Sequence, residues 1–324
     1  MNTEQILKNA SLARLPQFCI NALAALCGKI HEQALEPFYD LALQKCIDHT
    51  LEDKEIIEKF PVEEESDLFR MLLIVGMIDH AFKVYKEKNI PEEILLENLL
   101  DVPIWLEYYM ENISHPGFQW RILGWCRMLW EGKILKFGRL QLETELFYKE
   151  DFNLYCTEEG KTVFAKEEEA GKNWTCLLAK GDRIIGIHIP ASGPLKKELC
   201  IESFRRMRQY LAEYRPDIRY KAIHCHSWLL DPQLREILPE NSNILSFHTL
   251  GHVRACGTFE SETIGRVFGQ KGEKEGINSV PHKTGMQKRL AAFAAKGGKF
   301  DDGVMLITRE EFEALCDGKI TSVS

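Results

Sequence analysis

Two short stretches of the 324-residue chain bring chemically capable side chains close together. The first is His224-Cys225-His226-Ser227-Trp228. Strand side chains alternate between faces, so His224, His226 and Trp228 share one face, and Cys225 and Ser227 the other. A His-x-His pair can hold zinc when a third ligand arrives from a neighbour, and His188, His248 and His252 are candidates for it. No carboxylate or further histidine sits at a recognisable ligand spacing. The pair therefore reads as sheet histidines facing a cleft or packed with Trp228, and no metal is expected. Cys225 or Ser227 as a covalent nucleophile would need a histidine to activate it. Adjacent strand residues point apart, so neither is well aimed.

The second stretch is a strand, a small-residue loop and a helix: RIIGIHIP, ASGPL, KKELCIESFRRM. Such a unit presents free backbone amides at the positive end of a helix. Ser192 and Gly193 let the backbone approach a phosphate closely, and Lys196 and Lys197 add charge beside it. The same residues also suit a plain connection, with Pro194 opening the helix. Asp231-Pro232 reads as a helix start, and Arg205, Arg206 and Arg208 as a solvated helix face.

The elements that must position these residues differ between the two halves. Residues 1–132 read as helix throughout, with apolar residues at three- and four-residue steps. One long helix is expected over residues 65–88, and further helices after Pro91 and Pro103, each proline fitting a first turn. Trp120, Trp125 and Trp130 read as plugs for a helical core or a domain interface. At Gly132 the period changes to two. Leu140, Leu142, Thr144 and Leu146 alternate with Arg139, Gln141, Glu143 and Glu145, which predicts a half-buried strand. NWTCLLAK and RIIGIHIP flank Gly181-Asp182 as a hairpin. An amphipathic helix ends at Pro216. KAIHCHSWLL then reads as a strand, DPQLREILPE as a short helix and NILSFHTL as another strand. The Gly- and Lys-rich residues 265–283 read as a loop. A helix capped by Thr284, a strand at 304–307 and a helix capped by Thr308 close the chain. The pattern predicts two domains, helical over 1–132 and α/β with a mixed sheet over 133–324.

Composition narrows the function classes. Apolar residues at 45% and charged residues at 28% describe a folded globular chain. A net charge of −8 argues against a nucleic-acid partner. The run 68–78 is too short and too interrupted to span a bilayer, so no membrane partner is expected. The ten cysteines include no Cys-x-x-Cys pair. With no signal-peptide pattern at the start, they predict reduced thiols in a cytoplasmic protein.

The order of elements in the second half is similar to the core of the GNAT superfamily, which binds acyl-CoA. GRLQLE (138–143), IHIPASGPL (187–195), HSWLLDPQLREILPENSNILSF (226–247) and TGMQKRLAAFAAKGG (284–298) resemble a bacterial family of acyltransferase-domain proteins. Those proteins pair a helical N-terminal domain with a GNAT-like one. The usual GNAT phosphate loop, Arg/Gln-x-x-Gly-x-Gly/Ala, is replaced here by ASGPL. The resemblance implies an acyl-CoA co-substrate cradled by Ile189, Ala191, Ser192, Gly193, Leu195 and Lys196. It implies direct N-acyl transfer to a small-molecule or peptide amine acceptor. His188, His226 and Glu143 are then the candidate bases, the strands of His188 and His226 being the two that splay apart around the thioester. Two alternatives stand beside this: a non-catalytic ligand-binding or regulatory protein that keeps the fold, and a metal-dependent hydrolase using His224 and His226.

Overall fold

The computed structural model describes residues 1–111, 113–148, 150–257 and 260–323. It divides into two compact units, Met1–Lys136 and Phe137–Ser324.

The first unit holds nine helices among the described residues: α1 (Thr3–Leu12), α2 (Gln17–Glu32), α3 (Glu36–Ile47), α4 (Asp53–Lys59), α5 (Glu63–Gly76), α6 (Ile78–Glu87), α7 (Glu92–Leu99), α8 (Asp101–Met110) and α9 (Trp120–Trp130). Every residue from Ser66 to Val75 is buried, which makes α5 the axis on which α1, α2 and α9 pack. The single helix expected over 65–88 is in fact two. The break falls at Gly76 and Met77, where the Tyr39 hydroxyl presses into the space a Cβ would fill. Of the three tryptophans, Trp130 is the core plug. It is 1% exposed and donates through Nε1 to Ile74 O at 3.0 Å. Trp120 lies at the surface.

The second unit is α/β. Its strands are β1 (Ile134–Phe137, which straddles the division), β2 (Leu140–Leu146), β3 (Asn153–Cys156), β4 (Thr162–Ala165), β5 (Thr175–Leu178) and β6 (Arg183–His188). There follow α10 (Lys197–Tyr214), β7 (Ala222–Ser227), α11 (Leu234–Ile237), α12 (Asn243–His248), β8 (His252–Gly257), α13 (Glu260–Glu275), α14 (Gly285–Ala295), β9 (Asp302–Thr308) and α15 (Arg309–Cys316). The main sheet runs β1-β2-β6-β7-β9-β8, and a smaller one β4-β3-β5. β6 and β7 are parallel while β2–β6, β7–β9 and β8–β9 are antiparallel, so the sheet is mixed. β6 and β9 read as near-continuous apolar runs because both faces of each are covered.

One face packs on α10 and α15, with Phe204 and Phe312 ring centroids 5.5 Å apart. Arg205 and Arg208, expected on a solvated face, instead tie α10 to α15. Arg205 Nε donates to Cys316 O at 3.0 Å, and Arg208 pairs with Glu313 and Asp317. The lower part of the opposite face is covered by the small sheet, through an apolar cluster that includes Phe147, Leu154, Leu178, Ile184, Ala222 and Leu306.

Three further expectations are corrected. β5 pairs with β3 and not with β6, because Leu178 is spent on that cluster; Gly181, at φ 93, still turns the chain. The run NILSFH is helix α12, started by the Ser242 side chain, which accepts from Ile244 N. A short apolar run carries no decisive period, and the cap decides it. Much of 265–283 is helix α13, bent at Gly269, because Phe268 joins an apolar cluster with Leu234, Ile237 and Leu290. The capping boxes at Thr284–Gln287 and Thr308–Glu311 form as expected.

Candidate active site

The register of the main sheet decides which side chains meet. Glu143 stands opposite Gly186, Gln141 opposite His188, Gly186 beside His224, and His226 opposite Val304. Partners across a ladder share a face. Glu143, Glu145, His188, His224 and His226 therefore lie on one face, with His188 and His226 part-exposed and His224 buried.

Three histidines make polar contacts on that face. His188 Nε2 is 2.8 Å from Glu143 Oε2, with the imidazole 31% exposed. His224 is buried between Glu145, 3.3 Å from Nδ1, and Glu150, 3.5 Å from Nε2. His226, 34% exposed, lies 3.0 Å from Cys256 Sγ and 3.7 Å from Asp302 Oδ2. Burial, then the charges of Glu262, Asp231 and Asp301, push the Asp302 carboxyl up to about 6. Burial also lifts the Cys256 thiol, to about 12, so it remains a thiol. Cys225 points to the other face. It is 1% exposed and near Cys200, and burial drives its pKa far up, which removes it as a nucleophile. Ser227 accepts from Leu229 N and serves as a cap.

The ladder between β6 and β7 has three rungs, Ile184–Ala222, Ile185–Ile223 and Gly186–His224. Beyond them β6 runs on to His188 and β7 to Ser227. The two strands part there, with His188 past the fork on one and His226 past it on the other.

β6 leads into the loop 189–196 and then α10. Gly193 has φ 65, and nothing lies within 4 Å of the position its Cβ would occupy. Lys196 caps α10 without a side-chain hydrogen bond, so the first amides of an 18-residue helix stay open. Ala191, Gly193 and Lys196 are exposed, Ile189 and Ser192 half-buried. Leu195 is 5% exposed and offers a ligand only its main chain. Lys197 Nζ is held by Thr249 Oγ1 at 2.7 Å. Arg139 fastens the loop from behind, donating to Pro190 O at 2.9 Å and Pro194 O at 3.2 Å. A cavity of about 330 Å3 adjoins the loop, with Phe137, Arg139, Ser192, Gly193, Leu199 and Arg206 in its walls. An exposed positive-φ glycine, open amides and an unpaired-cap helix start are a chemical fit for a pyrophosphate.

Residues 5–132 match the N-acyltransferase N-terminal domain, and residues 134–305 match the GNAT-like C-terminal domain. The chain belongs to this N-acyltransferase family. Several solved acyltransferases share the fold. One is an acyltransferase mutant in complex with octanoyl-CoA, at a TM-score of 0.68 and 16% identity over 94% of this chain and 88% of that one. A second holds decanoyl-CoA and teicoplanin, at 0.68 and 17% identity over 94% and 88%. A third holds CoA and 10C-teicoplanin, at 0.66 and 16% identity over 91% and 85%. No curated protein sequence matches. Among the described residues of the acyltransferase, no group of three or more His, Cys, Asp or Glu is placed to hold a metal ion, and no helix is long and apolar enough to cross a membrane.

Of the residues singled out from the sequence, His188 and Glu143 meet, and His226 lies on the same face across the fork. Glu145, Glu150, Cys256 and Asp302 were not foreseen. A lone glycine within RIIGIH was the available signal for Glu145, since glycine inside a strand often marks a close approach.

Proposed function

We propose that this acyltransferase moves an acyl group from acyl-CoA directly to an amine within a ternary complex, with His188 as base and Glu143 as its partner. The observation that carries this reading is the 2.8 Å His188–Glu143 contact just past the β6–β7 fork. Glu143 fixes the ring and stabilises the imidazolium that forms when the proton arrives. The loop residues Ile189, Ala191, Ser192, Gly193 and Lys196, with Leu195 through its main chain, would hold the pyrophosphate beside the start of α10. Amides in 187–189 would donate to the oxygen of the attacked carbonyl.

In the reaction the amine gives a proton to His188 and its nitrogen bonds to the thioester carbon. The resulting tetrahedral species expels the CoA thiolate, the C–S bond breaks and the amide remains. The thiolate takes a proton from water, and the His188 imidazolium gives its own proton up to water, which restores the base. The solved acyltransferases that hold teicoplanin favour a peptide-like amine as the acceptor.

His188→Gln tests the base. It should lower kcat by a factor on the order of 100 to 10,000, the usual range for general-base catalysis. Octanoyl-CoA affinity by calorimetry should be unchanged. Full activity in this variant together with loss in His226→Gln moves the base to β7.

A further inference from the structure

The face that carries His188 holds a second carboxylate–histidine contact, built in another way. Glu145 stands opposite Ile184 on β6, yet its carboxylate passes over β6 to reach His224 on β7, 3.3 Å from Nδ1. The passage exists because residue 186 is glycine. A Cβ there would collide with Glu145 Oε1. On the same face β6 carries Ile184 before this glycine and His188 after it, so the gap lies at one level only. That level is also the last rung of the β6–β7 ladder, Gly186 beside His224. His224 is 3% exposed and has Glu150 on its far side.

We propose that Glu145, Gly186 and His224 are positioning residues that fix where β6 and β7 part, and so keep the main chain of 187–189 open to the acyl donor. The inference rests on reading the fork as the donor's seat. The brace ties three strands together at one height, since a carboxylate rooted on β2 is anchored on β7 across β6. An imidazole held between two carboxylates in a buried place is costly to leave half-paired, so the three strands keep this spacing.

The brace carries a pH signature. Burial alone lowers the His224 pKa, but the hydrogen bonds and charges of Glu145 and Glu150 outweigh it and hold the value above that of an ordinary histidine. The groups facing His224 are Glu145 from β2, Glu150 from the segment after β2, the Phe147 ring at 5.9 Å, Gly186 on β6 and Leu306 on β9. Among these described groups only the two carboxylates are ionisable. The folded value is raised, so the charged brace is complete below it and is lost as pH rises through it.

The test uses the full chain and octanoyl-CoA in calorimetry. In Gly186→Ala the new methyl meets the far end of a flexible side chain, so Glu145 swings away and the fold survives. That variant and His224→Gln should each bind octanoyl-CoA at least tenfold more weakly, while His188→Gln binds it normally. In the wild type, affinity should fall as pH climbs through the titration of the His224 ring followed by NMR, and His224→Gln should lack that step. If His224→Gln does not fold, Glu145→Gln and the wild-type titration decide. Wild-type affinity in Gly186→Ala, or a pH step that persists unchanged without His224, overturns the proposal. If the wild type binds no octanoyl-CoA, the donor reading falls and the fork is judged separately. Hydrogen exchange at the amides of Ile187 and Cys225 must then differ between wild type and Gly186→Ala, and equal exchange overturns it.

Discussion

Asp302 takes up its charge against the fold. Its side chain is 7% exposed at the first position of β9, and burial among other carboxylates raises its pKa to about 6. The folded chain therefore holds this proton more tightly than the unfolded chain does, and stability falls as pH climbs from about 4 to about 6. Asp302→Asn should remove that slope. In urea unfolding at pH 7 the variant should be more stable by on the order of 2 kcal/mol, and the two proteins should converge below pH 4. A less stable variant at pH 7 would mean that the His226 contact at 3.7 Å outweighs the burial of the carboxylate. Residues of this kind were the least legible in the sequence. Alternation alone put His224 and His226 on one face, and Glu143 opposite its apolar neighbours. That His188 meets Glu143, 45 positions away, depends on ladder register, which strand composition does not encode. Nothing in the sequence marks Asp302, because two of the carboxylates that act on it, Asp231 and Glu262, stand at remote positions.

At the scale of elements, local chemistry was a good guide wherever a cap or a long period existed. Thr284 and Thr308 start their helices with the expected capping boxes, and α10 follows its apolar stripe of Phe204, Met207 and Leu211. The failures were short. NILSFH became a helix through the Ser242 cap, and the Gly-rich stretch after 265 through contacts with residues remote in sequence, such as Phe268 with Leu234. The loop ahead of α10 carries a prediction of its own. Gly193 has φ 65 and open space beside it, so Gly193→Asp fits sterically at a cost of roughly 1–2 kcal/mol for the left-handed backbone. Its carboxylate would stand where a phosphate is expected, and octanoyl-CoA binding should disappear in calorimetry while Tm falls only slightly. Binding that survives would make this loop a connector.

For the molecule as a whole, the change of period near Gly132 lies close to the division between Lys136 and Phe137. The helical unit is centred on α5, and Trp130→Ala should cost it about 3–5 kcal/mol, as for other buried large aromatics, read as a lowered urea midpoint. A donor that binds only the folded protein raises its stability by about 2.7 kcal/mol at a hundred times its dissociation constant. A thermal-shift series of acyl-CoAs against CoA alone should therefore rank chain lengths by affinity, and equal shifts throughout would mean that the acyl chain is not gripped. The path of the chain between β2 and β6 has a broader consequence. The chain leaves the main sheet at Phe147 and returns at Asp182, and these two points are hydrogen-bonded, Phe147 N to Asp182 O and Gly181 N to Phe147 O, both at 2.8 Å. Residues 148–181 are thus a detour whose ends already touch. Such a segment can be lengthened, trimmed or exchanged for a foreign one at little cost in loop closure. Descendants of this protein can remodel what lies over Ile184, Ala222 and Leu306, provided Glu150 stays against His224, while the strands bearing His188 and His224 keep their alignment.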